Sequence, residues 1–116
     1  MPHHAMPEHC MELYKSVKAR FTDLTNVTVT QGKVPEVLAD VAPEKIAFMH
    51  LDLNNADAEI GVLDVLFERM VKGAILVLDD YGWLAYREQK LAEDPWFDKW
   101  GYRVLELPTG QGLLIK

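Results

Sequence analysis

Apolar residues along this chain switch between a helical and a strand-like period, and the switches mark out its elements. Cys10, Leu13, Tyr14, Val17, Phe21 and Leu24 recur at helical spacing behind Pro7, a residue suited to a first helical turn. Residues 27–30 are Val-Thr-Val-Thr, which reads as a strand stopped by Gln31-Gly32. Pro35 opens a short helix through Val41. Residues 46–51 form the next strand. Asn55 or Asp57 caps the helix that follows, whose stripe is Ile60, Leu63, Phe67 and Met70, with Gly73 as its stop. Residues 74–78 are apolar throughout, as expected of a strand covered on both faces. The stretch from Tyr86 to Trp100 is helical in pattern, with Pro95 expected to break or kink it and Gly101 to end it. Residues 102–107 read as a strand, 109–112 as a turn and 113–115 as a last short strand.

The order α-β-α-β-α-β-α-β-β predicts an α/β fold: a mostly parallel sheet with helices on both faces and an antiparallel C-terminal hairpin. Residues 27–30 are expected to pair beside 46–51, with the short helix as a right-handed crossover. The strand order would then be first, second, third, fifth, fourth.

Composition narrows the function classes. A chain of 116 residues with no repeat or linker fits one domain, 1–116. Its 12 basic residues against 18 acidic ones form no basic stretch, which argues against a nucleic-acid surface. No apolar run approaches the roughly 18 residues that suggest a membrane span. The lone Cys10 precludes an internal disulfide and fits a reducing, cytoplasmic compartment. His3, His4, His9 and Cys10 lack the paired spacing of a zinc site.

The chemistry concentrates where two strands run into acid. Asp52 follows the strand 46–51, and Asp79-Asp80 follows 74–78, with a helix between. Open α/β sheets bind ligands at the carboxyl ends of their strands, so adjacent strands bring Asp52, Asp79 and Asp80 to one rim. Carboxylates gathered there repel unless protons or a hard cation such as Mg²⁺ neutralise them. The alternative is that these acids simply cap the following helices. His50 shares the Asp52 face of its strand and is a candidate general base; the more ordinary role is a packed, hydrogen-bonded core histidine. Asn54 and Asn55 either contact substrate or shape their loop, the loop role being favoured. Tyr81 and Trp83 either wall a pocket or pack on the next helix, and Trp96, Phe97 and Trp100 are core or a subunit contact.

Asp52, the run Asp79-Asp80-Tyr81-Gly82-Trp83 and the tail from Leu105 through Pro108-Thr109-Gly110-Gln111-Gly112 to Lys116 resemble class I S-adenosylmethionine-dependent methyltransferases. Within them the chain is similar to the macrocin O-methyltransferase type, which methylates sugar hydroxyls of macrolide antibiotics. Residues 29–38 are similar too, and the likeness runs from about Glu8 to the end. The resemblance implies a Rossmann-like fold and a small-molecule hydroxyl acceptor; a sheet that lacks part of its covering helices is expected to leave apolar surface open, for which a homodimer is the common remedy. The resemblance also implies Asp52 as a catalytic residue beside the candidate base His50, Gln31, Gly32 and Asp52 at the cofactor, and Asp52, Asp79 and Asp80 on Mg²⁺. The family also has an early strand, a Gly-rich cofactor loop and an acid for the ribose. Here the Gly-x-Gly is Gly110-Gln111-Gly112, in a late hairpin. The chain is therefore expected to be the C-terminal part of such an enzyme, binding S-adenosylmethionine weakly or not at all and inactive alone. The competing functions are a non-catalytic α/β remnant or interaction module and, less favoured, a phospho-acceptor receiver-like domain. Receiver domains place the acid doublet after their first strand, whereas the lone Asp52 comes first here.

Overall fold

The two apolar runs that end in acid pair side by side. In the computed structural model, β1 (Ile46–Leu51) and β2 (Met70–Leu78) are parallel neighbours joined through α3 (Ala56–Leu66) and a single 3-10 turn, Phe67–Arg69. After α4 (Arg87–Lys99), a hairpin of β3 (Leu105–Glu106) and β4 (Gly112–Ile115) adds antiparallel to β2, giving the order β1-β2-β4-β3. The structure describes residues 8–53, 55–79, 81–82 and 87–116. Contacts divide the chain into two units, Met1–Gly32 and Lys33–Lys116.

In the first unit, α1 spans Glu8–Arg20 and stops before Phe21, which lies in a turn, and Leu24. Leu13 is 62% exposed, so the helical stripe does not close into a core of its own. Residues 27–30 are not a strand, and among the described residues the sheet holds four strands. The expected pairing of 27–30 beside β1 is thus corrected. β-branched propensity favours a strand only where a neighbouring ladder satisfies its backbone; here Val27 N–H instead turns back to Leu24 O at 3.4 Å.

The second unit carries the sheet and its core. Asn55 caps α3, its side chain accepting from Ala58 N–H at 2.9 Å. Val62, Leu63 and Leu66 of α3 and Phe97 of α4 bury against Leu51, Leu76, Leu78 and Leu114, with Leu38 of the short helix α2 (Leu38–Val41) packed alongside. Phe67 anchors the far end, its ring 5.2 Å from Trp96, 5.8 Å from Phe97 and 5.3 Å from Tyr102. Lys116 Nζ sits 4.6 Å over the same ring and donates to the carbonyls of Phe67 and Met70.

Several expectations change in form. The helix does not break at Pro95 but runs through it. The missing N–H costs one helical bond, and continuing the helix delivers Trp96 and Phe97 to the Phe67 cluster. Trp100, at the end of that row, is 48% exposed. Gly101, at φ +82, closes α4 as expected: its N–H bonds Asp98 O while Tyr102 N–H bonds Phe97 O, a Schellman arrangement. Gly73 does not stop α3. It lies inside β2 at φ +85, where β2 gains residues relative to β1 between the pairs Ile46–Met70 and Phe48–Ile75.

The sheet is mixed, with one parallel pairing and two antiparallel ones. It is also not covered on both faces. Ala74, Leu76 and Leu78 point into the core, whereas Ile75 is 39% exposed and lies in register with Phe48 at 60% and Ile115 at 63%. An unbroken apolar run cannot tell a strand buried on two faces from one whose second face is apolar but open. Among the described residues, no helix is long and apolar enough to cross a membrane.

Candidate functional site

Parallel pairing of β1 and β2 brings their carboxyl ends level, and one backbone bond locks the match: Asp79 N–H donates to Leu51 O at 3.0 Å. Side chains two apart share a face of a strand. His50 therefore projects on the open side, opposite Val77, and reaches across to Asp79 with Nε2 3.3 Å from Oδ1. One ligand atom from each of His50, Asp52 and Asp79 can be chosen so that all lie within 4.8 Å of one another. His50 is not the packed core histidine that was the more ordinary expectation: its side chain is 45% exposed.

The hairpin supplies a further residue. Gln111 Nε2 donates to Asp79 Oδ1 at 2.9 Å. That bond is the largest influence on Asp79 and, with the His50 bond, holds its carboxyl below the ordinary 3.8; partial burial opposes this weakly. Gln111 is placed by a tight turn in which Gly110 N–H bonds Leu107 O and Leu107 N–H bonds Gln111 O, with Gly110 at φ +88. A second tie, Gly82 N–H to Gly110 O at 2.7 Å, joins the segment after β2 to that turn. The role of Gln111 was missed in sequence reasoning, because a neutral amide in a turn motif carries no signal until the strand order sets it beside an acid.

Not every expected residue joins the cluster. Asp80, Asn54 and Trp83 lie outside the described residues, as do His3, His4 and the side chain of His9. Gln31 and Gly32 belong to the first unit, where Gln31 Nε2 is 3.2 Å from Met11 Sδ. Asn55 shapes its loop as a helix cap. Tyr81 is a packing residue, 3% exposed, and its hydroxyl donates to Asp94. Burial first, and Asp94 second, push the Tyr81 hydroxyl well above its ordinary pKa. Lys90, over the Tyr81 ring at 5.4 Å, and Asp94 line a hollow of about 270 Å³ on the α4 side, and His50, Asp52 and Asp79 are not among its lining residues.

The cluster offers one imidazole and two carboxylates. Two carboxylates suit Mg²⁺, which keeps several waters and takes few protein ligands. An imidazole, were it a ligand, would move the preference toward Fe²⁺ or Zn²⁺, whereas the carboxylates alone suit Mg²⁺ or Mn²⁺. The donor set thus fits a small divalent cation, and the Gln111 bond leaves the second Asp79 oxygen for it. The residues do not fit S-adenosylmethionine in the same way. β1 runs into Asp52-Leu53-Asn54-Asn55, with no glycine to let backbone approach a ligand. No protein-family model matches the chain, and no curated protein matches it.

Proposed function

We propose that this chain is a polypeptide of the S-adenosylmethionine-dependent O-methyltransferase kind, macrocin type, and that it supplies the acceptor side of the reaction. The observation that carries the proposal is the meeting of His50, Asp52 and Asp79 at the carboxyl ends of two parallel strands, with Gln111 on Asp79. The order β1-β2-β4-β3 would be the C-terminal part of a larger, mostly parallel Rossmann-like sheet. Asp52 and Asp79 would hold the cation, with Asp80 from the same acid doublet. A bound divalent cation supplies Lewis acidity that lowers the pKa of a coordinated hydroxyl. His50, already hydrogen-bonded to Asp79, is placed to accept that hydroxyl's proton once the contact rearranges. Gln111 keeps Asp79 ionised and oriented.

The loop 52–55 after β1 carries no glycine through which backbone could approach a donor. We therefore expect the chain alone to bind S-adenosylmethionine weakly or not at all and to turn over negligibly, because in-line transfer needs both partners held. That same lack of glycine favours the second reading, a non-catalytic α/β module. Titration calorimetry with S-adenosylmethionine, with and without Mg²⁺, decides: micromolar binding would overturn the expectation of weak donor binding and favour an enzyme. Heat only on adding Mg²⁺ supports an acceptor-side role, and no heat from either leaves the non-catalytic module.

The proposal includes a cytoplasmic, self-associating protein. Phe48, Ile75, Leu105 and Ile115 are 39–63% exposed on one sheet face, an apolar patch that suits a subunit contact. A monomer mass by light scattering at high concentration would refute self-association. Phe48→Asp should lower the associated fraction.

A further inference from the structure

Glu59 on α3 and Glu93 on α4 are 2% and 0% exposed. Their carboxyl groups face each other where the two helices pack, and burial, with the Glu59 carboxyl beside it, raises the Glu93 pKa to about 10. Glu59 Oε2 also accepts from Leu53 N–H at 3.0 Å. Glu59 Oε1 and both Glu93 oxygens have no hydrogen-bond partner among the described residues. Two buried carboxylates in contact cannot both ionise without a cation. Among the described residues, the groups that face the pair bring none. α3 contributes Glu59 itself, α4 contributes Asp94, and the segment after β2 contributes Tyr81, whose hydroxyl is engaged with Asp94. The loop after β1 contributes the Leu53 N–H.

The Leu53 bond gives the pair a consequence beyond helix packing. Asp52 stands between two fixed backbone groups: Leu51 O, taken by Asp79 N–H, and Leu53 N–H, taken by Glu59. Release of the second would let the Asp52 segment swing while the first still held.

We propose that Glu59 and Glu93 form a one-proton carboxyl pair that acts as a positioning strut, holding the backbone at Leu53 and so setting Asp52 relative to Asp79. The link to function rests on the reading of Asp52 as a cation ligand; the strut itself does not. Glu93 contributes through Glu59 by carrying the proton that lets both stay buried. A glutamine can replace either member, since it donates and accepts as a protonated carboxyl does.

The test uses the full chain and the variants Glu59→Ala, Glu59→Gln and Glu93→Gln. Infrared spectra of protein with ¹³C-labelled glutamate should show one protonated carboxyl at neutral pH, absent in Glu93→Gln. The Leu53 amide resonance should move in Glu59→Ala and stay in Glu59→Gln. Mn²⁺ affinity, read by electron paramagnetic resonance, should fall about tenfold in Glu59→Ala, as when a ligand's supporting group is lost, and recover in Glu59→Gln. Absence of a protonated carboxyl overturns the shared proton, and an unmoved Leu53 amide in folded Glu59→Ala overturns the strut. If Glu59→Ala does not fold, the infrared band in Glu93→Gln and the Leu53 amide in Glu59→Gln decide. Failure of the unmodified chain to bind Mn²⁺ overturns the cation reading, while the infrared and amide results judge the strut separately.

Discussion

Replacing Phe67 by alanine should remove most of the stability of the Lys33–Lys116 unit. The side chain is 2% exposed and stands where the 3-10 turn hands the chain to β2. Phe-to-Ala changes in cores cost about 3–5 kcal/mol. Phe67 belongs at the upper end, because Trp96, Phe97 and Tyr102 all meet its ring edge-on within 5.8 Å, and such pairs add about 0.5–1.5 kcal/mol each. Lys116 loses its ring contact yet keeps its two bonds to backbone carbonyls, which limits the damage there. A loss of about 5 kcal/mol is comparable with the whole stability of a small domain, about 5–10 kcal/mol. Urea unfolding followed by the fluorescence of Trp96 and Trp100 gives the comparison, with Phe67→Leu as the milder control at about 1–2 kcal/mol. A change below about 1.5 kcal/mol for Phe67→Ala, with the urea slope unchanged, would refute the placement of Phe67 at the centre of the aromatic cluster.

Gln111→Ala should raise the Asp79 pKa toward 3.8, since its largest depressing bond is removed; an unmoved NMR titration would contradict that assignment. A depressed carboxyl stabilises above its unfolded pKa and loses that stabilisation as pH falls through the folded value, so Gln111→Ala should show a shallower acid transition below pH 3.8. Glu93 has the opposite sign: burial, then the Glu59 contact, raise its pKa, so its stabilisation is complete below 4.5 and is lost as pH rises toward the folded value. One bound proton corresponds to about 1.4 kcal/mol per pH unit, and Glu93→Gln should remove that slope from the stability profile. Pro95→Ala should stabilise by about 1–2 kcal/mol, because a mid-helix proline costs about 3 and returns part of that by stiffening the unfolded chain.

Much of the second unit was legible in the sequence. The run 46–51 became β1 at its stated bounds, Asn55 took one of the two proposed caps, and the hairpin order beside β2 followed from the turn at 109–112. What failed was whatever depended on a partner. Residues 27–30 have strand chemistry and no ladder beside them, and the alternating exposure of β2 was invisible in a run where both faces are apolar. Pro95 carries a strong local signal that aromatic packing overrode. For the site, the strand-end rule located Asp52 and Asp79 because it depends only on strand direction. Gln111 and the Glu59–Glu93 pair were not legible, since each matters only through a neighbour far along the chain.

Cation binding by the strand-end cluster is the point on which the functional proposal turns. Titration calorimetry of Mg²⁺ and Mn²⁺ into the chain and into Asp52→Asn and Asp79→Asn tests it. One cation should bind per chain, on the Asp52 and Asp79 carboxylates. Either substitution should weaken binding at least about tenfold while the fold persists, as expected when a charged ligand is replaced by an amide. No saturable binding by the unmodified chain, or binding by both variants equal to that of the unmodified chain, would contradict the proposal that Asp52 and Asp79 hold a cation beside His50.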